Sequence, residues 1–283
     1  MKLVEIDRRS GLTRDEFAAE YLQPLKPVVF TDLMDSWPAK DRWTVEFFKE
    51  QYGHLEVPVF SANYSKPGKG YMIADKTMSF KEFLTAMEAG PTDLRMFLFN
   101  IFRHAPELCH DFSTHTIMDG FIKSFPFMFF GGEGSHVALH YDIDMSHVFL
   151  NQIYGRKRVI LFSQEQSKYI YRHPYTVASY IDVNNPDYNK YPALKLVQGY
   201  EVMLEPGETL FMPSGHWHYI EYTDFGYSIS LRSSDSVLRK VKGIYNIATH
   251  YLVDKGMNRL IGPKWRDMKA NMAKKRAEEL IEM

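Results

Sequence analysis

Two stretches hold the residues best suited to chemistry: Ser135-His-Val-Ala-Leu-His140-Tyr-Asp142 and, well downstream, Pro213-Ser-Gly-His-Trp-His218. Side chains alternate along an extended segment, so a histidine and a carboxylate two apart project to the same side. A histidine arriving from a distant strand completes a face of three ligands. Two imidazoles and one carboxylate, with the other coordination positions open, suit non-haem Fe(II) and dioxygen chemistry. Spacing leaves two choices open. His216 and His218 share one face of a regular strand, and Asp144 shares the parity of Asp142. His147 is close enough in sequence to support a ligand from behind.

A second feature lies between the two stretches. Gly155-Arg-Lys157-Arg-Val-Ile-Leu-Phe162 reads as a strand with a lysine among apolar residues. A lysine pointing into a barrel is costly unless it meets an anion. Beside an iron site, 2-oxoglutarate answers that need, with a distal carboxylate for Lys157 and a 2-oxo acid end that chelates metal. Ser228 and Ser230 alternate inward on the last strand and could donate to the same ligand. Arg232, on the same parity, is a rival carboxylate clamp.

The elements that must position these residues begin near residue 125. Strand candidates recur at 126–130, 136–143, 146–153, 157–162, 200–204, 209–212, 217–222 and 227–232, separated by Gly131-Gly132, Gly155, Pro206-Gly207, Ser214-Gly215 and Gly226. Many short, evenly spaced strands read as a jelly roll or small barrel. The polar segment with Asn184-Asn-Pro-Asp-Tyr188 is too long for a hairpin turn and reads as a loop or insertion. Upstream, residues 2–6 alternate, Thr13 caps a helix, Val28-Val29-Phe30 is a short buried strand, and a helix after Thr44 ends at Gly53. Pro58 makes 57–60 an edge strand, Ser79 caps a helix to Glu88, and 95–102 is strand-like with Phe97 and Phe99 on one face. After Asp235 the pattern is helical, split at Gly262-Pro263. The fold expected is mainly β with flanking α: an N-terminal α/β extension, partly helical, at 1–124, a β core at 125–234 and C-terminal helices at 235–283.

Bulk properties narrow the classes. The chain has 283 residues, 15% of them aromatic, and a formal charge of −1, which argues against strong non-specific attraction to nucleic acid or a membrane surface. A single cysteine, Cys109, excludes an intrachain disulfide and a Cys-based zinc site, and fits a reducing compartment. The first residues lack a signal-peptide core, and no apolar run approaches the roughly 20 residues of a spanning helix. The expectation is a cytoplasmic protein with no membrane contact.

His140-Tyr-Asp142, the Gln152–Phe162 run with Lys157, Asp182-Val-Asn-Asn-Pro-Asp-Tyr188, Gly199-Tyr-Glu, and Pro206-Gly-Glu-Thr-Leu-Phe-Met-Pro213 with Trp217-His218 occur in a fixed order. Together with Trp37-Pro38 and Pro27-Val-Val-Phe30, this resembles the cupin-like branch of the jumonji-C oxygenases, most nearly the hypoxia-inducible-factor asparaginyl hydroxylases. The resemblance covers most of residues 20–234. It implies a double-stranded β-helix (jelly-roll or cupin) core that uses Fe(II), dioxygen and 2-oxoglutarate, and hydroxylation with release of succinate and carbon dioxide. His140, Asp142 and His218 then match the iron ligands, favouring His218 over His216, and Lys157 matches the residue for the distal carboxylate. The chain departs from the pattern in several places. Val137 stands for a threonine, Phe97 for a cosubstrate-binding tyrosine and Arg232 for an asparagine. For a second asparagine, Ser146, His147 or Asn151 stands in.

By resemblance the substrate is a protein or peptide side chain. A nucleic acid base is the runner-up, to which the basic Lys274-Lys-Arg276 cluster could contribute. The rival class is a binding module, a cupin that holds metal without turnover. The resemblance also implies a homodimer through the C-terminal helices.

Overall fold

A computed structural model describes residues 1–62, 73–97, 99–123 and 126–281. In chain order its strands are β1 Lys2–Glu5, β2 Arg8–Arg9, β3 Val28–Phe30, β4 Glu56–Val59, β5 Lys76–Ser79, β6 Arg95–Met96, β7 Phe127–Gly131, β8 His136–His140, β9 His147–Tyr154, β10 Lys157–Phe162, β11 Gln198–Leu204, β12 Thr209–Met212, β13 Trp217–Tyr222 and β14 Gly226–Ser233. The α-helices are α1 Arg14–Phe17, α2 Ala39–Arg42, α3 Val45–Tyr52, α4 Phe80–Glu88, α5 Val237–Ala248, α6 Lys255–Ile261 and α7 Pro263–Glu278.

Two mixed sheets face each other. One has the order β1-β11-β10-β13-β8, the other β2-β3-β12-β9-β14-β7-β6. This is the jelly-roll core expected of the strand pattern. The sheets meet over an aliphatic layer that includes Val148, Leu150, Val159, Leu161, Leu210 and Ile220. On the outer side of the seven-stranded sheet, the N-terminal helices pack Phe17, Trp43, Phe48 and Phe80 against Phe130, Phe149 and Tyr227. The outer side of the five-stranded sheet is covered by the 163–197 segment and α7, through Ile170, Leu194 and Ala277 against Ile160, Phe162 and Trp217. Each sheet therefore buries both faces, and a strand such as β9 is buried along nearly its whole length, polar Asn151 and Gln152 included.

Local signals explain most element ends. Thr13 and Ser79 each form a capping box, with Glu16 and Glu82. Thr44 accepts from Phe47 N at the start of α3. Gly262, at φ +43, separates α6 from α7. Strands β1 and β3 join the two sheets by pairing with β11 and β12.

Two expected strands are shorter than their periodicity suggests. The 95–102 segment is a strand only at Arg95–Met96, because the Asn100 side chain accepts from Phe102 N and starts a 3-10 turn at Ile101–Arg103; Leu98 lies outside the described residues. The 136–143 strand ends at His140, where Tyr141 N turns to Val177 O. Among the described residues no helix is long and apolar enough to cross a membrane.

Candidate metal centre

His140 and His218 face each other across the β8–β13 ladder, with ring centroids 4.2 Å apart. This pairing depends on an irregularity. Ile220 pairs with Val137 and His218 with His140, so three steps on β8 match two on β13. The extra residue is a β-bulge, which re-aims a side chain at the rim of a sheet. It lets both Val137 and His140 face inward although they are three apart. The displaced Ala138 carbonyl then accepts from His140 Nδ1 at 2.8 Å. His218 repeats the arrangement, with Nδ1 3.2 Å from the His216 carbonyl. In both rings Nδ1–H is tied to the backbone, and Nε2 is left as the electron-pair donor.

Asp142 completes the face from a turn, not from the strand. Met145 N donates to Asp142 O, and Met145 takes φ +58. Helix α5 presses on this turn: a Cβ on Gly243 would stand 2.4 Å from Asp144 O. One ligand atom from each of His140, Asp142 and His218 lies within 4.8 Å of the others. Electrostatics keep all three in the ligand form. Burial, reinforced by His218, lowers the His140 pKa to about 4, and burial lowers that of His218. Burial works against ionising Asp142, but Arg232 and the two imidazoles outweigh it and hold the carboxyl well below its usual range. Two neutral imidazoles and an ionised carboxylate on one face form the donor set that fits a divalent iron.

The structure brings some expected residues to this face and places others elsewhere. His216 is buried and is not among the side chains whose ligand atoms converge. Asp144 binds Ser146 Oγ and Arg232. His147 accepts from Ser214 N at Nδ1 and meets Asp235 at Nε2, tying the Ser214 turn to the link between β14 and α5. Asn151 lies on the opposite side of β9, saturated by Phe149 O, Ile229 O, His115 and Thr209. Arg232 is engaged by carboxylates: its Nη1 lies 3.0 Å from Asp142 Oδ2 and 3.1 Å from Asp144 Oδ1, and donates to Ser146 Oγ at 2.9 Å.

Lys157 is 1% exposed. Its Nζ donates to Ser228 Oγ at 2.5 Å and sits 4.4 Å from the Tyr222 ring centroid. Among the described residues no carboxylate forms an ion pair with it. Burial, then the nearby Arg95, pushes its pKa well down. Ser230, two residues beyond Ser228 on β14, is 2% exposed and its hydroxyl has no partner. Phe97 lies against Phe60 with ring centroids 4.1 Å apart. Sequence reading missed Arg95, a lone arginine at the head of an aromatic-rich stretch with no local signal of its position.

The fold and this face define a cupin with a two-histidine, one-carboxylate centre. The profile of the Cupin-like domain family matches residues 14–238, and the chain belongs to that family, whose jumonji-C members generally use Fe(II) and 2-oxoglutarate. Similar proteins include lysine-specific demethylase 8 of Xenopus tropicalis, 30% identical over 231 residues that make up 76% of this chain and 50% of the relative. Lysine-specific demethylase JMJ30 of Arabidopsis thaliana is 28% identical, over 80% of this chain and 54% of its own. The tRNA wybutosine-synthesizing protein 5 of Gallus gallus is 27% identical, over 81% and 76% respectively. The chain spans about half the length of these demethylases. The relatives place it in the family at large and do not single out asparaginyl hydroxylases.

Proposed function

We propose that this protein is an Fe(II)- and 2-oxoglutarate-dependent dioxygenase that hydroxylates a protein or peptide side chain. One observation carries the reading: a three-ligand face and a buried ammonium with no carboxylate partner among the described residues line the same interior. They lie at the two ends of the inward row Ser228, Ser230, Arg232, a four-residue step of about 13 Å along the strand. His140 and His218 would hold the iron through Nε2 and Asp142 through a carboxylate oxygen. Bound there with a chelating 2-oxo acid, Fe(II) supplies the activation of dioxygen, and C–H, O2 and 2-oxoglutarate become C–OH, succinate and carbon dioxide. Lys157 and Ser228 bind the distal carboxylate, Arg232 keeps Asp142 ionised and oriented, and Val159, Leu161 and Ile220 exclude water.

Anaerobic titration of the metal-free protein with Fe(II) and 2-oxoglutarate, followed by admission of air and assay of succinate, tests the reading. A metal-to-ligand absorption band followed by slow succinate formation is expected. Metal binding with no 2-oxoglutarate band would overturn it in favour of a cupin that only holds metal. A second substrate class, a transfer RNA base, is favoured by the name of the Gallus gallus relative, of which this chain covers 76%. Stoichiometric RNA copurifying with the protein would move the reading there.

The C-terminal helices support a homodimer as part of this reading. On α5 and the turn after it, polar Asn246 and Asp254 are buried, while Leu238, Tyr245 and Leu252 are 77%, 66% and 77% exposed. An inverted helix of this kind, with apolar neighbours Val237, Val241 and Ile244 also exposed, calls for a partner surface. Light scattering is expected to give twice the chain mass, and a monomer for Leu238→Lys with Tyr245→Lys; a monomeric wild type at micromolar concentration would remove the dimer.

A further inference from the structure

Lys157 is not the only buried cation near its end of the barrel. Arg95 is 3% exposed and stands on β6 directly opposite Gly131 of β7. Residues paired across an antiparallel ladder project to the same face, and Gly131 shows which face that is. A Cβ built on Gly131 would stand 2.6 Å from the Tyr222 ring, the ring against which Lys157 Nζ rests. Arg95 therefore projects to the same inner wall as Lys157, where the missing side chain at Gly131 makes room for the Tyr222 ring. The guanidinium carbon lies over the Phe97 ring, 5.3 Å from its centroid. Coupling between the two cations is felt at Lys157, where Arg95 adds to burial in lowering the pKa.

Both cations face one interior, and a carboxylate bound there is attracted by each. A guanidinium presents a planar fork that a carboxylate can accept with two oxygens, while an ammonium presents a point charge. The two together recognise a carboxylate more selectively than either alone. We propose that Arg95 is a second cationic contact for the distal carboxylate of 2-oxoglutarate, which is held between Arg95 and Lys157. This rests on the cosubstrate reading above. It places the arginine contact at the Lys157 end of the row and leaves Arg232 with Asp142 and Asp144 at the other end.

The test is calorimetric binding to the full-length protein loaded with Mn(II) in place of iron. The two ligands are 2-oxoglutarate and 2-oxobutanoate, which shares the chelating end and lacks the distal carboxylate. Arg95→Gln is expected to weaken 2-oxoglutarate about 10-fold or more while leaving 2-oxobutanoate within about 2-fold, at unchanged Mn(II) affinity. Arg95→Lys, the variant that keeps the charge if Arg95→Gln folds poorly, is expected to recover part of the loss. Equal 2-oxoglutarate affinity in wild type and Arg95→Gln overturns the assignment. Equal weakening of both ligands also overturns it, by making Arg95 a structural residue. A wild type that binds Mn(II) but no 2-oxoglutarate overturns the cosubstrate reading itself.

Discussion

Arg232 and Lys157 sit at opposite ends of one inward-facing row, both cationic side chains taken largely out of water, yet their surroundings differ in kind. Arg232 meets two carboxylates and a hydroxyl within 3.1 Å. Lys157 meets one hydroxyl and an aromatic face. A buried cation compensated by the protein's own carboxylates has its electrostatic need met and acts on those carboxylates, here by fixing Asp142. A buried cation left with neutral partners is unstable in the free protein and gains most from an incoming anion. On the proposed reading, the two ends of the row separate a residue that positions a metal ligand from one that binds the cosubstrate.

The largest expected effect strikes the Lys157 end. Lys157→Glu should weaken 2-oxoglutarate binding to the Mn(II)-loaded protein by about 100-fold or more, since reversal replaces attraction by repulsion in a water-poor site. Metal content should not change. Unchanged affinity would break the comparison and return the clamp to Arg232. The wild-type pH profile sharpens the same point. An anion prefers the protonated ammonium, and burial with Arg95 holds that ammonium's pKa well below the ordinary 10.5. Binding then raises the pKa and takes up a proton wherever the free protein has lost it, so affinity should fall as pH rises through the lowered value. Calorimetry in buffers of different ionisation enthalpy would reveal the proton, and a flat profile up to the ordinary lysine range would show that the free ammonium keeps its proton there.

Much of this was legible in the sequence, for reasons that particular residues make plain. Histidine and carboxylate types are informative, and a two-residue period kept His140 and Asp142 together. Parity also put Lys157, Ser228, Ser230 and Arg232 inside. What stayed hidden depends on pairing between distant segments. The extra residue on β8 that turns His140 inward is a property of its register against β13, which no local pattern records. Asp142 reaches the face through a turn, so the period reached the right side by a different route. The sequence shows Arg232 pointing inward but not that Asp142 and Asp144 arrive from another segment to meet it. Arg95 is hidden more deeply, because its face is set by its pairing with Gly131 at the end of a sheet.

The Arg232 end should respond more mildly and in the opposite sense. Arg232→Met removes the group that holds Asp142 ionised and pointed at the ligand face. Loss of such an outer contact typically costs 10–100-fold in metal affinity, and about 10-fold is expected for Mn(II), read by paramagnetic resonance. Affinity of the metal-saturated protein for 2-oxoglutarate should stay within about 3-fold. Collapse of 2-oxoglutarate binding with metal affinity intact would exchange the two roles.

The smallest effect lies between the two ends, at Ser230. Its hydroxyl is buried without a hydrogen-bond partner, whereas that of Ser228 is occupied by Lys157. A buried unmade hydrogen bond costs about 1–3 kcal/mol, and removing the polar group recovers part of it against a small loss of packing. Ser230→Ala should therefore stabilise the ligand-free protein by about 1 kcal/mol, measured by denaturant unfolding. If the hydroxyl donates to the cosubstrate, that advantage should vanish when Mn(II) and 2-oxoglutarate are present, because the wild type then satisfies the group and the variant cannot. Stabilisation that persists in the loaded protein would remove Ser230 from the binding row and leave Ser228 as the only β14 serine on the cosubstrate, confining recognition to the Lys157 end.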